Sequence, residues 1–322
     1  MSQSAVRERT ISTNGVDLHV VEAGDEGAPV VLLCHGFPEL AYSWRHQIPA
    51  LADAGFHVLA PDQRGYGRST RPEKIEDYDI VNLTGDAVGL LDAVGASDAV
   101  FVGHDWGSMV VWQSALLHPE RVRAVCGMSV PFAPRGPMPP TQLMKMAFGD
   151  GFFYILYFQE PGVADANLGA DPARTMRGML AGLEVPEGQT LDASALAQPS
   201  GAGFVERLPQ PETLPAWLSQ EELDHYVAEF TRTGFTGGIN WYRNFDRNWE
   251  LTESLAGAHV SQPSLFIGGA LDPVLLMAPP TIGHDFLDDH RGDVIIQGAG
   301  HWVQQEKPAE VNDALLGWLK GL

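Results

Sequence analysis

The stretch of sequence that decides the fold is Val100-Phe101-Val102-Gly103-His104-Asp105-Trp106-Gly107-Ser108-Met109-Val110-Val111-Trp112. Its first apolar run predicts a buried strand, and the apolar run after Gly107 predicts a helix. The small residues Gly103 and Gly107 permit a sharp turn between the two, which lifts the residue at its centre into a pocket above a sheet. This pattern is typical of a nucleophile elbow, and its central residue is Asp105.

Asp105 stands where the elbow of an esterase or lipase carries serine. A serine hydroxyl must be deprotonated by a base, whereas a carboxylate is already anionic at neutral pH and can attack carbon directly. Asp105 therefore indicates displacement at an electrophilic saturated carbon, such as that of an epoxide or a haloalkane. The alternative is an ordinary turn in which Asp105 caps the next helix, because aspartate is favoured at that position. The motif alone leaves both interpretations open.

Composition and charge restrict the class of protein. The chain of 322 residues is long enough for one large α/β domain with an insertion. With 20 Lys and Arg against 41 Asp and Glu, its formal charge of −21 disfavours binding to nucleic acid or anionic membranes. Cys34 and Cys126 lie in apolar runs, which favours a reducing cytoplasm over a disulfide framework. The polar segment 1–10 lacks the apolar core of a secretory signal, and the apolar runs are too short to span a bilayer. We therefore expect a cytoplasmic protein with no membrane insertion.

Strands and helices alternate through the first part of the chain. Asn14-Gly15 predicts the turn of a hairpin over 10–23. The apolar runs at 30–33, 56–60 and 122–130 are typical of buried strands, and segments between them show helical spacing. Trp44, Ile48 and Leu51, for example, are predicted to share one helix. This alternation predicts a mostly parallel sheet with helices on both faces, in which ligands bind beyond the carboxyl ends of the strands.

From Pro131 the sequence changes in character. Prolines cluster after this residue, and no clear buried strand follows until about Pro263. A stretch of that length is too long for a loop and predicts a helical cap inserted into the core. Ser219-Gln220-Glu221-Glu222 is a capping box that begins one cap helix, and 184–213, rich in proline, glycine and glutamine, is predicted to be a connecting excursion. The predicted domains are 1–132 for the first part of the core, 133–255 for the helical cap (lid) and 256–322 for the second part of the core.

Further candidate residues lie at predicted strand ends. Asp272 follows an apolar strand predicted over 263–268, and His301 follows one predicted over 294–296. They occur in the chain order nucleophile, acid, histidine that a hydrolytic triad of this kind requires. Either residue alone is more often part of a turn. In His35-Gly36-Phe37-Pro38 the free amide of Phe37 can face the same pocket, and with the amide of Trp106 it would form an oxyanion hole. A plain strand-to-helix turn is the alternative for this loop.

With these motifs the chain resembles the soluble epoxide hydrolases of the α/β-hydrolase fold, particularly the bacterial epoxide hydrolase A type. The resemblance also includes two cap motifs, Phe153-Tyr154-Ile155-Leu156-Tyr157-Phe158-Gln159-Glu160-Pro161-Gly162 and Asn240-Trp241-Tyr242-Arg243-Asn244. By position these motifs carry the family's two epoxide-binding tyrosines, which the resemblance places at Tyr154 and Tyr242. Core packing is the alternative for either tyrosine. Tyr157 is a helical neighbour of Tyr154 and the residue most easily mistaken for it.

The resemblance implies a covalent route from an epoxide to a vicinal diol. Asp105 attacks an epoxide carbon while the phenols of Tyr154 and Tyr242 donate to the oxygen, because an alkoxide is a poor leaving group. His301, oriented by Asp272, then activates the water that hydrolyses the ester. The oxyanion hole described above stabilises the tetrahedral intermediate.

No cofactor and no metal are implied. No pair has the helical spacing of a zinc site among the scattered histidines His19, His35, His46, His57, His104 and His118. His104, beside the nucleophile, is expected to have a supporting role at most. A homodimer formed through the cap is consistent with the resemblance, but no sequence feature establishes it. Aromatic and methionine side chains of the cap favour an apolar epoxide as substrate, although they could equally form the core of the cap. They include Phe152, Phe153, Met144, Met146, Met176 and Met179.

Three other functions use similar sites. A haloalkane dehalogenase shares the aspartate nucleophile, but such enzymes often bind the halide with a side-chain donor at the position of Phe37, and they need no phenol. A fluoroacetate-type dehalogenase would carry arginine where Trp106 stands. A non-catalytic ligand receptor is an alternative because the fold does not determine the function. The complete triad with both tyrosines argues against it.

Overall fold

The centre of the protein is an eight-stranded β-sheet. The computed structural model describes residues 5–181 and 201–322. The strands are β1 (Arg7–Thr13), β2 (Val16–Ala23), β3 (Val30–Cys34), β4 (His57–Pro61), β5 (Ala99–His104), β6 (Val122–Met128), β7 (Val260–Gly269) and β8 (Leu287–Ile296). They lie in the order β1-β2-β4-β3-β5-β6-β7-β8. β2 is antiparallel to β1 and β4, and all other neighbours are parallel, so the predicted mostly parallel sheet is confirmed.

Helices connect the strands and cover both faces of the sheet. The α-helices of the described residues are α1 (Gln47–Asp53), α2 (Ile80–Val94), α3 (Trp106–Leu117), α4 (Pro140–Phe148), α5 (Tyr154–Tyr157), α6 (Val163–Gly169), α7 (Pro172–Leu180), α8 (Gln220–Thr233), α9 (Thr236–Arg243), α10 (Phe245–Leu251), α11 (Val274–Met277), α12 (Val303–Glu306) and α13 (Pro308–Leu319). Short 3-10 segments span Ala41–Trp44, Ile75–Tyr78, Val205–Arg207, Glu253–Leu255 and Pro280–Phe286.

Alternating side chains of the parallel strands build a separate apolar core on each face of the sheet. In β3, Val30 and Leu32 belong to one core, whereas Val31 and Leu33 belong to the other, as the two-residue period of a strand requires. The first core includes the apolar sides of α2 and α3 and continues into helices that follow β6. The second is covered by α1, α12 and α13. Burial on both faces explains why these strands are continuous apolar runs in the sequence.

The predicted hairpin is confirmed. Asn14 and Gly15 have φ values of +46° and +76°, which the two-residue turn between right-twisted strands requires.

The helix α1 begins later than expected. Trp44, expected to share a helix with the residues after it, lies in a 3-10 segment, and α1 begins at Gln47. Pro49 fits only the first turn of a helix, because it has no N–H to donate to an earlier carbonyl.

β8 is longer than the sequence indicated. An apolar strand was expected over 294–296, but the strand spans Leu287–Ile296. It pairs with β7 at the edge of the sheet, so charged side chains such as Asp288 and Arg291 can meet solvent. The earlier, solvent-facing part of this strand therefore leaves no apolar run in the sequence.

Helices fill the described part of the chain between β6 and β7. This stretch holds α4 to α10, and its described residues contain no β-strand. α8 begins with the predicted capping box, in which the Glu222 amide donates to Ser219 Oγ at 3.2 Å and the Ser219 amide donates to Glu222 Oε2 at 2.8 Å. Of the predicted excursion 184–213, residues 184–200 lie outside the described residues. Within residues 5–181 and 201–322, no helix is long and apolar enough to cross a membrane.

Candidate active site

Asp105 lies at a sharp turn between β5 and α3. Its φ of +52° is in the left-handed region, which residues other than glycine rarely adopt. A Cβ at Gly103 would lie 2.1 Å from the carbonyl oxygen of Gly107, and a Cβ at Gly107 would lie 1.9 Å from that of Cys34. Both positions therefore require glycine, as the elbow interpretation predicts. The Asp105 side chain makes no capping hydrogen bond to α3, so its interpretation as an ordinary helix cap is wrong.

Two backbone amides act on the Asp105 carboxylate. The N–H of Phe37 donates to Asp105 Oδ1 at 2.8 Å, and the N–H groups of Phe37 and Trp106 both favour the ionised form by lowering the pKa of Asp105. A Cβ at Gly36 would lie 2.4 Å from the same oxygen, so glycine allows the loop backbone to approach the carboxylate. The structure thus brings together the two amides predicted to form an oxyanion hole. Donors in this position can stabilise negative charge on an oxygen.

His301 lies between two carboxylates. Its Nδ1 is 3.1 Å from Asp272 Oδ1, and its Nε2 is 3.7 Å from Asp105 Oδ2. The hydroxyl of Ser129, which the sequence analysis did not identify, donates to Asp272 Oδ2 at 2.5 Å and lies 2.9 Å from His301 Nδ1. Ser129 directly follows β6, so its position at a strand end was the signal that could have identified it. The loops after β5, β7 and β8 therefore bring the three predicted triad residues together.

The side chains of Asp105, Asp272 and His301 are largely buried together, and the charge of His301 and those of the two carboxylates affect one another's pKa values. Burial by itself lowers the pKa of His301, but the carboxylates of Asp272 and Asp105 outweigh burial and raise this pKa to about 9. Burial would raise the pKa of Asp272, yet the charge of His301 and the Ser129 hydroxyl bring it below its ordinary value. For Asp105, burial outweighs the histidine and the two amides, and the pKa is raised. His301 is therefore an imidazolium at neutral pH when both carboxyl groups are ionised.

Tyr154 from α5 and Tyr242 from α9 face each other near Asp105. Their ring centroids are 5.9 Å apart, with the ring planes at 75° to each other. The ring of Tyr242 lies 5.4 Å from that of Phe37 and 5.1 Å from that of Trp106. Burial, followed by the negative charge of Asp105, raises the pKa of both phenols above the ordinary value. Both phenols are therefore protonated at neutral pH and can donate hydrogen bonds.

Tyr157 has different surroundings. Its ring lies 5.3 Å from that of Phe152. Burial, followed by the negative charge of Glu206, raises the pKa of Tyr157, whereas the carboxylate of Asp105 acts on Tyr154. Of the two neighbours on α5, Tyr154 is the one that lies near Asp105.

Aromatic side chains surround the two facing tyrosines. The ring of Phe158 lies 5.6 Å from that of Tyr154 and 5.1 Å from that of Tyr242. An apolar wall of this kind strengthens electrostatic interactions inside the pocket. Met176 is completely buried among the helices, as expected of a core residue, whereas Met146 is 74% exposed. Met146 therefore does not belong to an enclosed pocket.

A buried hydrogen-bonded pair of Glu39 and His104 lies beside the candidate site and was not predicted. Glu39 Oε2 accepts from the His104 ring at 2.6 Å and from the Gly36 amide at 2.8 Å. The second His104 nitrogen donates to the carbonyl oxygen of His301 at 2.7 Å. Burial would raise the pKa of Glu39, but His104 lowers it to about 2. Both nitrogens of His104 are engaged in holding loops, which fits a supporting role rather than that of a second base. The sequence held no signal for Glu39, because glutamate is ordinarily exposed.

Comparisons with known proteins identify relatives of the whole chain. Residues 29–308 match the family model of the alpha/beta hydrolase fold. The chain is 64% identical over 318 residues to epoxide hydrolase A of Mycobacterium tuberculosis, covering 99% of this chain and 98% of that protein. The crystal structure of epoxide hydrolase A from Mycobacterium thermoresistibile is 61% identical and has a TM-score of 0.95 over 99% of both chains. An epoxide hydrolase from an endophytic Streptomyces is 44% identical, with a TM-score of 0.92 over 98% of this chain and 96% of that chain.

Proposed function

Because the chain belongs to the epoxide hydrolases of the alpha/beta hydrolase fold, we propose that Asp105 opens the epoxide in a two-step reaction. The enzyme hydrolyses an epoxide to a vicinal diol. The observation that carries the proposed route is the position of the Asp105 carboxylate, 2.8 Å from the Phe37 amide and 3.7 Å from His301 Nε2. A carboxylate held in this way needs no base to become a nucleophile.

In the first step, the Asp105 carboxylate attacks one epoxide carbon. The carbon–oxygen bond of the epoxide breaks as the ester bond forms, and the departing alkoxide takes a proton from Tyr154 or Tyr242. The raised pKa of both phenols keeps them protonated before the step. The products are a hydroxyalkyl ester of Asp105 and a phenolate.

In the second step, His301 activates the water that hydrolyses the ester. Ester formation removes the charge of Asp105, one of the carboxylates that raise the pKa of His301, so this pKa falls. The proton that His301 then gives up restores the phenol. Neutral His301, held by Asp272, takes a proton from water as the water attacks the ester carbonyl. The amides of Phe37 and Trp106 stabilise the tetrahedral oxyanion, whose collapse releases the diol and the carboxylate.

The alternative functions are not favoured. The relatives described above are named as epoxide hydrolases, not as dehalogenases or receptors. The Phe37 side chain has no N–H donor for a departing halide, and its ring packs at 5.4 Å against that of Tyr242. A halide also needs no proton to leave, so two phenols would be without a role in a dehalogenase.

Four further properties belong to the same proposal. The cap comprises residues 133–255 and is inserted between core parts 1–132 and 256–322. The substrate is an apolar epoxide, a proposal supported by the aromatic side chains that line the pocket. A cytoplasmic location is supported by Cys34 and Cys126, which are buried as free thiols. A homodimer through the cap rests on the resemblance alone, and sedimentation velocity tests it.

Trapping the ester tests the proposed nucleophile. His301→Gln removes the base of the second step, so this variant mixed with an aryl epoxide should gain the mass of one epoxide. Intact-protein and peptide mass spectrometry after acid quenching should place that mass on Asp105. The double variant Asp105→Ala, His301→Gln is the control and should gain no mass. An adduct on another residue, or the same adduct in the control, would contradict the proposal.

A further inference from the structure

A β-bulge in the edge strand β8 brings two side chains to one face. Ser264 of β7 pairs with His290, and Phe266 pairs with Asp293, so one extra residue is inserted into β8 between these pairs. Side chains three positions apart in a regular strand point to opposite faces. The inserted residue reverses this relation, and Gly292 within the bulge has a φ of +125°. As a result, His290 Nε2 lies 3.0 Å from Asp293 Oδ1.

His284 completes a group of three. It lies in the 3-10 segment that precedes β8, and its Nε2 is 3.1 Å from Asp293 Oδ2. The imidazole centroids of His284 and His290 are 4.7 Å apart, and one ligand atom from each of the three residues lies within 4.8 Å of the others. The side chains of His284, His290 and Asp293 are 34%, 14% and 20% exposed, so the group lies in a shallow, partly buried position that solvent can reach.

Ser264 orients one of the imidazoles. Its hydroxyl lies 3.1 Å from His290 Nδ1, and Ser264 is completely buried. In the structure His290 Nε2 donates its proton to Asp293 Oδ1. When a metal ion replaces that proton, a proton on Nδ1 can donate to the Ser264 hydroxyl, and the Nε2 lone pair then faces the ion. Outer hydrogen bonds of this kind are what fix the tautomer and ring orientation of a histidine that binds a metal.

We propose that His284, His290 and Asp293 bind a divalent transition-metal ion with the ligand preference of Zn²⁺. Two imidazole nitrogens and one carboxylate suit zinc, whereas calcium and magnesium prefer oxygen ligands alone. Bonds of about 2.0–2.1 Å in tetrahedral geometry place neighbouring ligand atoms about 3.3 Å apart. His290 Nε2 and His284 Nε2 lie 3.0 and 3.4 Å from the same oxygen, Asp293 Oδ1, and both distances are close to that separation. Three protein ligands leave the fourth position for water.

The chain as a whole favours cation binding at this site. Its formal charge of −21 attracts cations to the surface. A bound ion would connect the 3-10 segment Pro280–Phe286 to the bulge of β8 and so stabilise the folded state by mass action. The catalytic candidates lie beyond the carboxyl ends of the strands, whereas this group lies along β8. The ion should therefore leave epoxide turnover unchanged, and the inference does not rest on the proposed reaction.

Zinc titration of the metal-free, untagged protein tests the site. Isothermal titration calorimetry with competition by a chelator should show one ion per chain, and His290→Ala and Asp293→Ala should each weaken binding by at least about 100-fold. His259→Ala is the matched control, because His259 Nδ1 pairs with Asp288 Oδ1 at 2.9 Å in a two-residue cluster near the same edge. This control should bind zinc as the wild type does. Absence of one-to-one binding, or equal losses in His259→Ala and His290→Ala, would overturn the proposal.

Two milder variants separate the site from general folding. Ser264→Ala keeps all three ligands but loses the bond to His290, and it should weaken zinc binding about tenfold. The Cβ that Gly292→Ala adds would have no atom within 4 Å, but an alanine strains the backbone at a φ of +125°. This variant keeps all three ligands and should also weaken zinc binding. Thermal unfolding with and without zinc should show a smaller stabilisation by zinc in both variants than in the wild type. An undiminished stabilisation in Gly292→Ala would contradict the role of the bulge, and an undiminished stabilisation in Ser264→Ala would contradict the orienting role of the serine.

Discussion

The sheet and the helical segment between β6 and β7 contribute to the candidate site in different ways. The sheet carries Asp105, Asp272 and His301, each placed just beyond a strand and held by hydrogen bonds. The helical segment carries Tyr154 and Tyr242, which are placed by the packing of aromatic rings. The difference indicates that sheet topology locates the ester chemistry, whereas activation of the epoxide oxygen depends on an insertion packed against it.

Removal of the proposed nucleophile should have the largest effect. Asp105→Ala should lower kcat/KM for an aryl epoxide by about 10⁴-fold or more, because oxyanion stabilisation and binding alone give little catalysis. Steady-state kinetics measure the loss, and an unchanged circular dichroism spectrum shows that the variant is folded. Substantial residual turnover would mean that the sheet does not supply the essential nucleophile.

The tyrosines test the contribution of the helical segment. Tyr154→Phe and Tyr242→Phe should each slow ester formation by about 10²-fold, and the double variant should be slower, because proton donation to the alkoxide is lost. Rapid-quench single turnovers should show that hydrolysis of the ester keeps its rate. Tyr157→Phe is the matched control and should react at the wild-type rate. If Tyr157→Phe were as slow as Tyr154→Phe, the assignment of the two phenols would be wrong.

Between neutral pH and about pH 9, the free energy of unfolding should depend on the protonation of His301 at the sheet and not on that of Tyr154 in the helical segment. The pKa of His301 is raised from 6.5 to about 9, so the folded protein holds this proton more tightly than the unfolded chain does. The resulting stabilisation is complete below about pH 6.5 and is lost as the pH rises through about 9. Urea unfolding across this range should show a steeper fall for the wild type than for His301→Gln. Tyr154→Phe should keep the wild-type slope, because the pKa of that phenol is raised above its ordinary value of 10. Equal slopes for the wild type and His301→Gln would contradict the buried ion pairs.

Ser129 should show the smallest effect. Ser129→Ala removes the hydroxyl that bonds Asp272, but His301 keeps its own contact with Asp272 at 3.1 Å. We expect ester hydrolysis to slow by about tenfold or less and the free energy of unfolding to fall by about 1 kcal/mol. Ser129→Gly loses the same hydroxyl but suits the φ of +67° and should be more stable than Ser129→Ala. A variant of either kind that slows ester formation instead would contradict the placement of Ser129 beside His301.

Much of the core could be predicted because each strand end carries a local signal. Asp105, Asp272 and His301 follow apolar runs, and the sheet brings the ends of parallel strands to one edge. Tyr154 and Tyr242 have no such signal, since aromatic residues are frequent throughout the helical segment. Only the resemblance to a family distinguished them in the sequence.

The remaining polar groups could not be predicted, because their burial depends on contacts between distant segments. Glu39 is buried against His104, and its other oxygen accepts from Gln304 at 2.9 Å. No spacing in the sequence reports such a contact. His290 and Asp293 share a face only because the bulge adds one residue to β8, and a strand period of two predicts opposite faces.

The most direct measurement is a single turnover in oxygen-18 water with enzyme in excess over an aryl epoxide. If Asp105 is the nucleophile, the oxygen added to the first diol comes from its unlabelled carboxylate, and the diol should carry no label. A fully labelled diol in the first turnover would mean that water attacks the epoxide directly, which would contradict the covalent role of Asp105.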